Sequence, residues 1–190
     1  MKHTRRRSIW TVPARIATLS VLLLGVGAAV AFALAINGTA GNDRLIGTAS
    51  ADQINALAGN DDVFGRGGAD VIQGQEGDDE LEGEGGDDEI YGGPDDDDVE
   101  GGAGDDFIAG EDGDDEIDGN GGADEIYGGA GSDDLEGGDG ADTIIADDDD
   151  GEADEIDCGA GNNDIAYVDQ FDSVDNCETV IVTEFEEPEA

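Results

Sequence analysis

Between Gly38 and Ile145 an aspartate recurs at every ninth residue, twelve times without a slip: Asp43, Asp52, Asp61, Asp70, Asp79, Asp88, Asp97, Asp106, Asp115, Asp124, Asp133 and Asp142. An ionised carboxylate offers two hard oxygens and no proton to donate. One such group at fixed spacing is chemistry for holding a cation, and a row of them for holding a row of cations. The glycines between them supply a second kind of donor, because a glycine-rich turn leaves its backbone carbonyls uncovered. Carboxylates and carbonyls in pliable geometry suit Ca2+, which takes about six to eight oxygens, whereas Mg2+ demands stricter octahedra and keeps its water. No cysteine–histidine cluster competes for zinc or copper; the one histidine, His3, precedes the repeats.

The elements that must position these side chains follow from the rest of the unit. Two residues after each aspartate stands an aliphatic residue: Leu45, Ile54, Val63, Ile72, Leu81, Ile90, Val99, Ile108, Ile117, Ile126, Leu135 and Ile144. Glycine opens eleven of the twelve units, with Ala56 the exception, and holds the fourth position in ten, with Ser50 and Asp95 departing. A fixed period implies one structural unit copied along an axis. The stretch Gly-x-x-Gly-x-Asp accepts positive φ and tight turns. The remaining three residues read as a strand, as in Glu89-Ile90-Tyr91 and Glu125-Ile126-Tyr127. Alternation sends the aliphatic residue inward and its neighbours, Tyr91 and Tyr127 among them, to the outer face. Turn plus short strand makes half a coil. Two units then make one coil of a flattened solenoid, and units n and n+2 stack at about 4.8 Å.

Stacking sets the aspartate of unit n beside that of unit n+2. Unpaired carboxylates at that spacing repel strongly, and a divalent cation between successive turns removes the repulsion. Twelve units offer at most ten such pairings, so multiple Ca2+ ions are expected, at most about ten. The repeat block holds 34 acidic and two basic residues, so ten ions would bring its charge from −32 to about −12. The expectation is a chain largely unfolded without calcium and a β-solenoid with it.

The 190 residues allow one domain of ordinary size, and the formal charge is −44. Five of the seven basic residues lie before residue 16, and no acidic residue precedes Asp43. Beyond residue 35 stand 51 acidic and two basic side chains, Arg44 and Arg66, a net of −49. That balance repels nucleic acid and anionic membranes and attracts cations. Residues 1–35 read as a secretory signal peptide: a basic stretch to Arg15, an apolar run from Ile16 to Ile36, and an A-x-A site at Ala33-Leu34-Ala35. The competing reading is an uncleaved anchor over residues 16–36, since about 20 apolar residues span a bilayer. Either places the repeats outside the cytoplasm, secreted and soluble after cleavage or membrane-anchored and facing outward. In an exported chain Cys158 and Cys177, an even count, suggest a disulfide; two free thiols are the alternative. After Ile145 the register breaks. Ala146-Asp147-Asp148 read as an insertion. Two degenerate units follow, Asp149–Asp157 with Asp154 sixth and Ile156 eighth, and Cys158–Ala166 with Asn163 sixth and Ile165 eighth.

These residues resemble a known pattern. The consensus G-G-x-G-x-D-x-U-x belongs to the RTX, or haemolysin-type calcium-binding, repeat family. Gly101-Gly102-Ala103-Gly104-Asp105-Asp106-Phe107-Ile108-Ala109 fits it throughout, as do Gly128–Glu136 and Gly137–Ile145. The resemblance covers about two-thirds of the chain. It implies an all-β fold, a right-handed parallel β-roll (β-solenoid), with Ca2+ between the turns. The ion would be bound by the sixth-position aspartates and by carbonyls of the glycine-rich turns. Carried over, the metal ligands are the twelve aspartates named first. There are departures. Thr39, Leu57, Arg66 and Glu84 replace the second glycine, and Pro94 and Asp95 disturb the turn of Gly92–Glu100. Units one to four are less acidic and read as weak sites or an N-terminal cap. The closing segment resembles the ends of some secreted bacterial repeat proteins. There a cysteine of the last degenerate unit pairs with one placed as in Asn176-Cys177-Glu178, which implies a C-terminal cap over the last solenoid edge. The division is then residues 1–35 signal peptide, 36–166 β-roll, and 167–190 disulfide-linked cap with an acidic tail.

No catalytic residue and no organic cofactor is expected. A phosphate cradle needs a following helix and usually a lysine. A carboxylate pair can cleave glycosides, but with every aspartate in an equivalent, exposed repeat nothing singles out a pair. There is no HExxH motif and no nucleophile elbow. Two classes of function remain. One is an extracellular structural or adhesive module, stiffened by calcium and binding an extracellular protein or glycan. The other is a polyanionic calcium buffer or mineral-associated protein without a specific partner.

Overall fold

The computed structural model describes residues 33–146 and 152–183. The signal or anchor segment, apart from its last residues, the insertion after Ala146 and the acidic tail from Glu184 lie outside the described residues. Among the described residues every regular element is a β-strand.

Two parallel sheets face each other. One stacks Ile36, Ile54, Ile72, Ile90, Ile108, Ile126, Ile144, Ala166 and Val180 as successive partners. The other stacks Leu45, Val63, Leu81, Val99, Ile117, Leu135, Ile156 and Val174. Successive units alternate between sheets, so unit n pairs with unit n+2 and the result is a β-solenoid of about eight coils. The aliphatic eighth positions from Ile54 to Ile144 are buried and form one continuous core. Each such side chain stabilises the fold by about 2 kcal/mol through the apolar area it removes from water.

The strands are longer than the three residues that alternation suggests. Gln53–Ala58, Val71–Glu76, Glu80–Gly85, Glu89–Pro94, Asp98–Ala103 and Phe107–Asp112 have six each. The ladder therefore continues through the first three positions of the next unit, and the turn proper is only positions four to six. The corner is made at the second position, which takes left-handed φ even without glycine: 87° at Leu57, 80° at Arg66, 67° at Glu84 and 88° at Glu111. Such a conformation costs a non-glycine residue about 1–2 kcal/mol, which the ladder on both sides sustains. At the fourth position the demand is stricter. Gly86 has φ of 133°, and a Cβ there would strike the backbone of Gly68. Asp95 takes the same corner at φ 82°, so the unit containing Pro94 keeps its place in the stack.

The C-terminal coils correct the sequence reading at one point. Along the aspartate row, partners are 18 residues apart until Asp133, whose partner Asp154 is 21 on, and Asp142, whose partner Asp164 is 22 on. Three of those residues belong to the insertion. The fourth lies in the turn at Asn163, which adopts φ of 79°. Asp164, not Asn163, therefore occupies the sixth place. Ala166, not Ile165, faces the core, beside the buried Cys158. The segment from Tyr167 adds strands to both sheets, Ser173–Asp175 and Thr179–Val182, and Cys158 is disulfide-bonded to Cys177. Val180, Ile181 and Val182 on the last strand are 44%, 38% and 57% exposed, so this segment lengthens the ladder and leaves apolar side chains at its edge.

The two outer faces differ. The face of the Leu/Val-rich sheet carries acids in both flanking rows, for example Asp98 opposite Glu116 and Glu100 opposite Asp118. The other face carries Tyr91, Phe107 and Tyr127 on successive coils, with ring centroids 5.7 and 5.4 Å apart. The two tyrosine hydroxyls donate to Glu89 and Glu125.

Candidate metal centre

Each sixth-position aspartate closes a turn, one residue before the next strand begins. From Asp61 on, its Oδ1 accepts the backbone N–H of the equivalent aspartate one coil earlier: Asp61 from Asp43 at 2.7 Å, Asp88 from Asp70 at 2.7 Å, Asp106 from Asp88 at 2.7 Å, and Asp142 from Asp124 at 2.9 Å; Asp52 Oδ1 accepts that of Leu34. The row is thus linked coil to coil by one charge-assisted bond per step. The sequence reading places these carboxylates in exposed turns. From Asp52 on they are instead buried, with Asp106 at 2% and Asp142 at 0% exposure. The amide of the preceding coil draws each carboxylate under the turn, where the opening glycine leaves room for it.

The second oxygen of each group is the informative one. Oδ2 of Asp61, Asp70, Asp79, Asp88, Asp97, Asp106, Asp115, Asp124 and Asp142 is buried and has no hydrogen-bond partner among the described residues. A buried anionic oxygen without a counter-charge or donor costs several kcal/mol, and the same bare oxygen recurs down both edges. In each complete unit this oxygen faces the point where the opening glycine lacks a Cβ. At Gly65 that point lies 2.7 Å from Asp70 Oδ2 and 2.9 Å from the Gly83 carbonyl oxygen. At Gly101 it lies 2.8 Å from Asp106 Oδ2 and 3.0 Å from the Gly119 carbonyl; at Gly119, 2.8 Å from Asp124 Oδ2 and 2.7 Å from the Gly137 carbonyl. Glycine opens these units because a methyl group would fill an oxygen-lined cradle.

Burial, with the charges of neighbouring acids added to it, outweighs the N–H bonds and raises these carboxyls. Asp79 and Asp115 are pushed up to about 6, Asp88 and Asp124 to about 7, and Asp97 to about 8. Asp70, Asp106 and Asp142 move the same way, again chiefly through burial. Near neutral pH Asp88, Asp97 and Asp124 therefore take up either protons or another cation. The donors are all oxygen, and among the described residues no three acidic side chains converge on one point. A cation here would draw most of its ligands from backbone carbonyls, which fits a large, hard ion of flexible coordination such as Ca2+ and fits zinc poorly.

The first three units are built differently. Asp43 Oδ2 accepts the Thr39 N–H at 2.6 Å and the Thr39 hydroxyl at 2.8 Å, and Asp52 Oδ2 accepts the Thr48 N–H at 2.6 Å. In the unit of Asp61 the opening residue is Ala56, whose methyl stands where other units have the cradle. Asp97, beyond Pro94 and Asp95, holds the same position as its neighbours, accepting the Asp79 N–H at 2.8 Å. Asp133 likewise accepts the Asp115 N–H, at 2.9 Å. Three aspartates of the row stand outside the twelve: Asp154 and Asp164, which accept the amides of Asp133 and Asp142, and Asp172, which accepts that of Asp154 at 3.2 Å. The sequence signal for Asp154 was its sixth place in a degenerate unit. Asp164 was hidden by the one-residue slip at Asn163.

Among known families, the model of the RTX calcium-binding nonapeptide repeat, four copies long, matches this chain in overlapping stretches from residue 37 to residue 165. They include 37–72, 64–99, 91–126 and 127–165, and together they span well over half the sequence. No curated protein matches it.

Proposed function

Because the chain belongs to the RTX calcium-binding nonapeptide repeat family, whose repeats bind Ca2+, we propose that it is an exported protein that orders on calcium and serves as an extracellular structural or adhesive module. The observation that carries this reading is the row of buried, unpartnered Oδ2 atoms beside glycine carbonyls. In each turn the N–H bond to Oδ1 fixes the carboxylate so that Oδ2 meets the cradle. When bound, Ca2+ supplies positive charge where the buried row is otherwise uncompensated. Asp70, Asp79, Asp88, Asp97, Asp106, Asp115, Asp124 and Asp142 are the side-chain ligands this favours, and Asp133 is the ninth by its place in the row. Asp43 and Asp52, whose second oxygens already hold donors, and Asp61 beside Ala56 belong to the N-terminal end and bind weakly. Calorimetric titration of the metal-free chain in about 0.15 M salt tests the reading. Several Ca2+ ions, at most about ten, should bind with a much weaker response to Mg2+; heat no larger than that of dilution would reject it.

Export rests on the basic and apolar N-terminal segment and on the disulfide, which oxidising compartments favour. Full-length chain expressed in an exporting host should be recovered outside the cytoplasm with Cys158 and Cys177 bonded; retention inside with free thiols contradicts it. A calcium buffer needs capacity and no particular surface. The Tyr91–Phe107–Tyr127 ladder on one face alone therefore favours the module over the buffer. A module retains a partner in calcium and releases it in chelator; a buffer retains none in either.

A further inference from the structure

The aspartate row does not stop at Asp142. The Asp142 amide donates to Asp164 Oδ1 at 2.9 Å, and the Asp164 amide donates in turn to Glu178 Oε2 at 3.0 Å. Glu178 thus stands where the sixth-position aspartate of one more coil would stand, but 14 residues on instead of 18. The shortened path is held by the disulfide: Cys177, next to Glu178, is bonded to Cys158, which is fully buried in the core. Asp164 is 0% exposed and its Oδ2 accepts no N–H among the described residues. Both Asp164 oxygens lie within 2.8 and 2.9 Å of the point where Gly161 lacks a Cβ, and the Gly140 carbonyl oxygen crowds the same point. Burial, with the side chain and charge of Glu178 added to it, raises the Asp164 carboxyl, while the N–H groups around Glu178, that of Asp164 foremost, lower the glutamate carboxyl. Asp164 thus has a carbonyl of the preceding coil beside its buried carboxylate and, on its amide, an acidic side chain held next to a cystine.

We propose that Asp164, Glu178 and the Gly140 carbonyl form a terminal Ca2+ site that the Cys158–Cys177 disulfide assembles, so that the occupancy of this one site follows the redox state of the chain. The inference rests on the calcium reading above. A dithiol reductant passes two electrons and two protons to the cystine, giving two thiols and its own cyclic disulfide. Glu178 is then no longer tethered opposite Asp164, whereas the cradles further along the solenoid have no part in the tether.

The test counts Ca2+ bound at saturation to the full chain by equilibrium dialysis, oxidised and dithiothreitol-reduced, for wild type and Glu178→Gln. The glutamine keeps an oxygen to accept the Asp164 N–H, so the coil is retained and only the charge is lost. The oxidised variant should bind one ion fewer than oxidised wild type. Reduction should remove one ion from wild type and none further from the variant. Asp164→Asn should lose the same single ion. Equal counts in oxidised wild type and Glu178→Gln would overturn the proposal, as would a reductive loss of equal size in both. A wild-type chain that binds no Ca2+ in any state overturns the calcium reading itself, which separates that failure from this one.

Discussion

The two oxygens of one aspartate have different work, and substitutions can separate them. In Asp106, Oδ1 holds the Asp88 amide while Oδ2 is bare. Asp106→Asn keeps an acceptor for the amide and removes the charge. In chelator this should stabilise the chain, by about 1–3 kcal/mol, because a buried uncompensated charge has gone. In saturating calcium the same change should lose at least one ion and lower stability. The β signal in chelator, which the change should raise, and the denaturation midpoint in calcium, which it should lower, check the reversal of sign; a loss of β structure in both media would show that Asp106 acts only as a hydrogen-bond acceptor. Gly101→Ala puts a methyl within about 3 Å of Asp106 Oδ2 and the Gly119 carbonyl. It should cost about 1–3 kcal/mol through overpacking and one bound ion; an unchanged ion count in dialysis would mean the cradle is not where the cation is held. The kind of donor and its spacing were plain in the sequence. Burial was not, because it depends on an amide 18 residues away that only the depth of the coil brings to Asp106 Oδ1.

At the scale of the element, nine-residue periodicity gave the n to n+2 stacking and the inward aliphatics correctly, since both follow from strand alternation. It understated the strands, because the ladder passes through a left-handed corner at the second position that alternation alone would take for the start of a turn. Non-glycine residues there are strained but tolerated. Glu111, at φ 88°, is the clearest case: Glu111→Gly should raise stability by about 1 kcal/mol through release of that strain, measured by the denaturation midpoint in calcium. A loss of stability would mean that the glutamate side chain contributes more than its backbone costs. Periodicity also hid the two-faced character of the solenoid, whose true repeat is two units. Tyr91, Phe107 and Tyr127 share a face only because alternate units share a sheet. The slip at Asn163 was illegible for a local reason: one extra residue in a turn leaves no mark when both Asn163 and Asp164 could fill the sixth place.

For the whole molecule, raised carboxyl values set the sign of the pH dependence. A buried aspartate whose folded value lies above its unfolded one binds its proton more tightly when folded. It therefore favours the metal-free fold below the unfolded value near 3.8, and that contribution is lost as pH rises through about 6 to about 8, the range of Asp79, Asp88 and Asp97. In chelator the chain should accordingly gain β structure as pH falls from about 8 to about 5, opposite to ordinary acid denaturation. Calcium affinity should weaken over the same interval, since proton and cation compete for one oxygen. Circular dichroism with and without calcium reads both trends, and metal-free β structure that melts on acidification would contradict the first. Most direct is the calcium titration itself, followed by far-ultraviolet circular dichroism at neutral pH and low ionic strength. Little order is expected in chelator, with a cooperative gain of β signal on adding Ca2+ that Mg2+ does not reproduce; a chain already fully ordered in chelator would overturn the calcium-dependent fold.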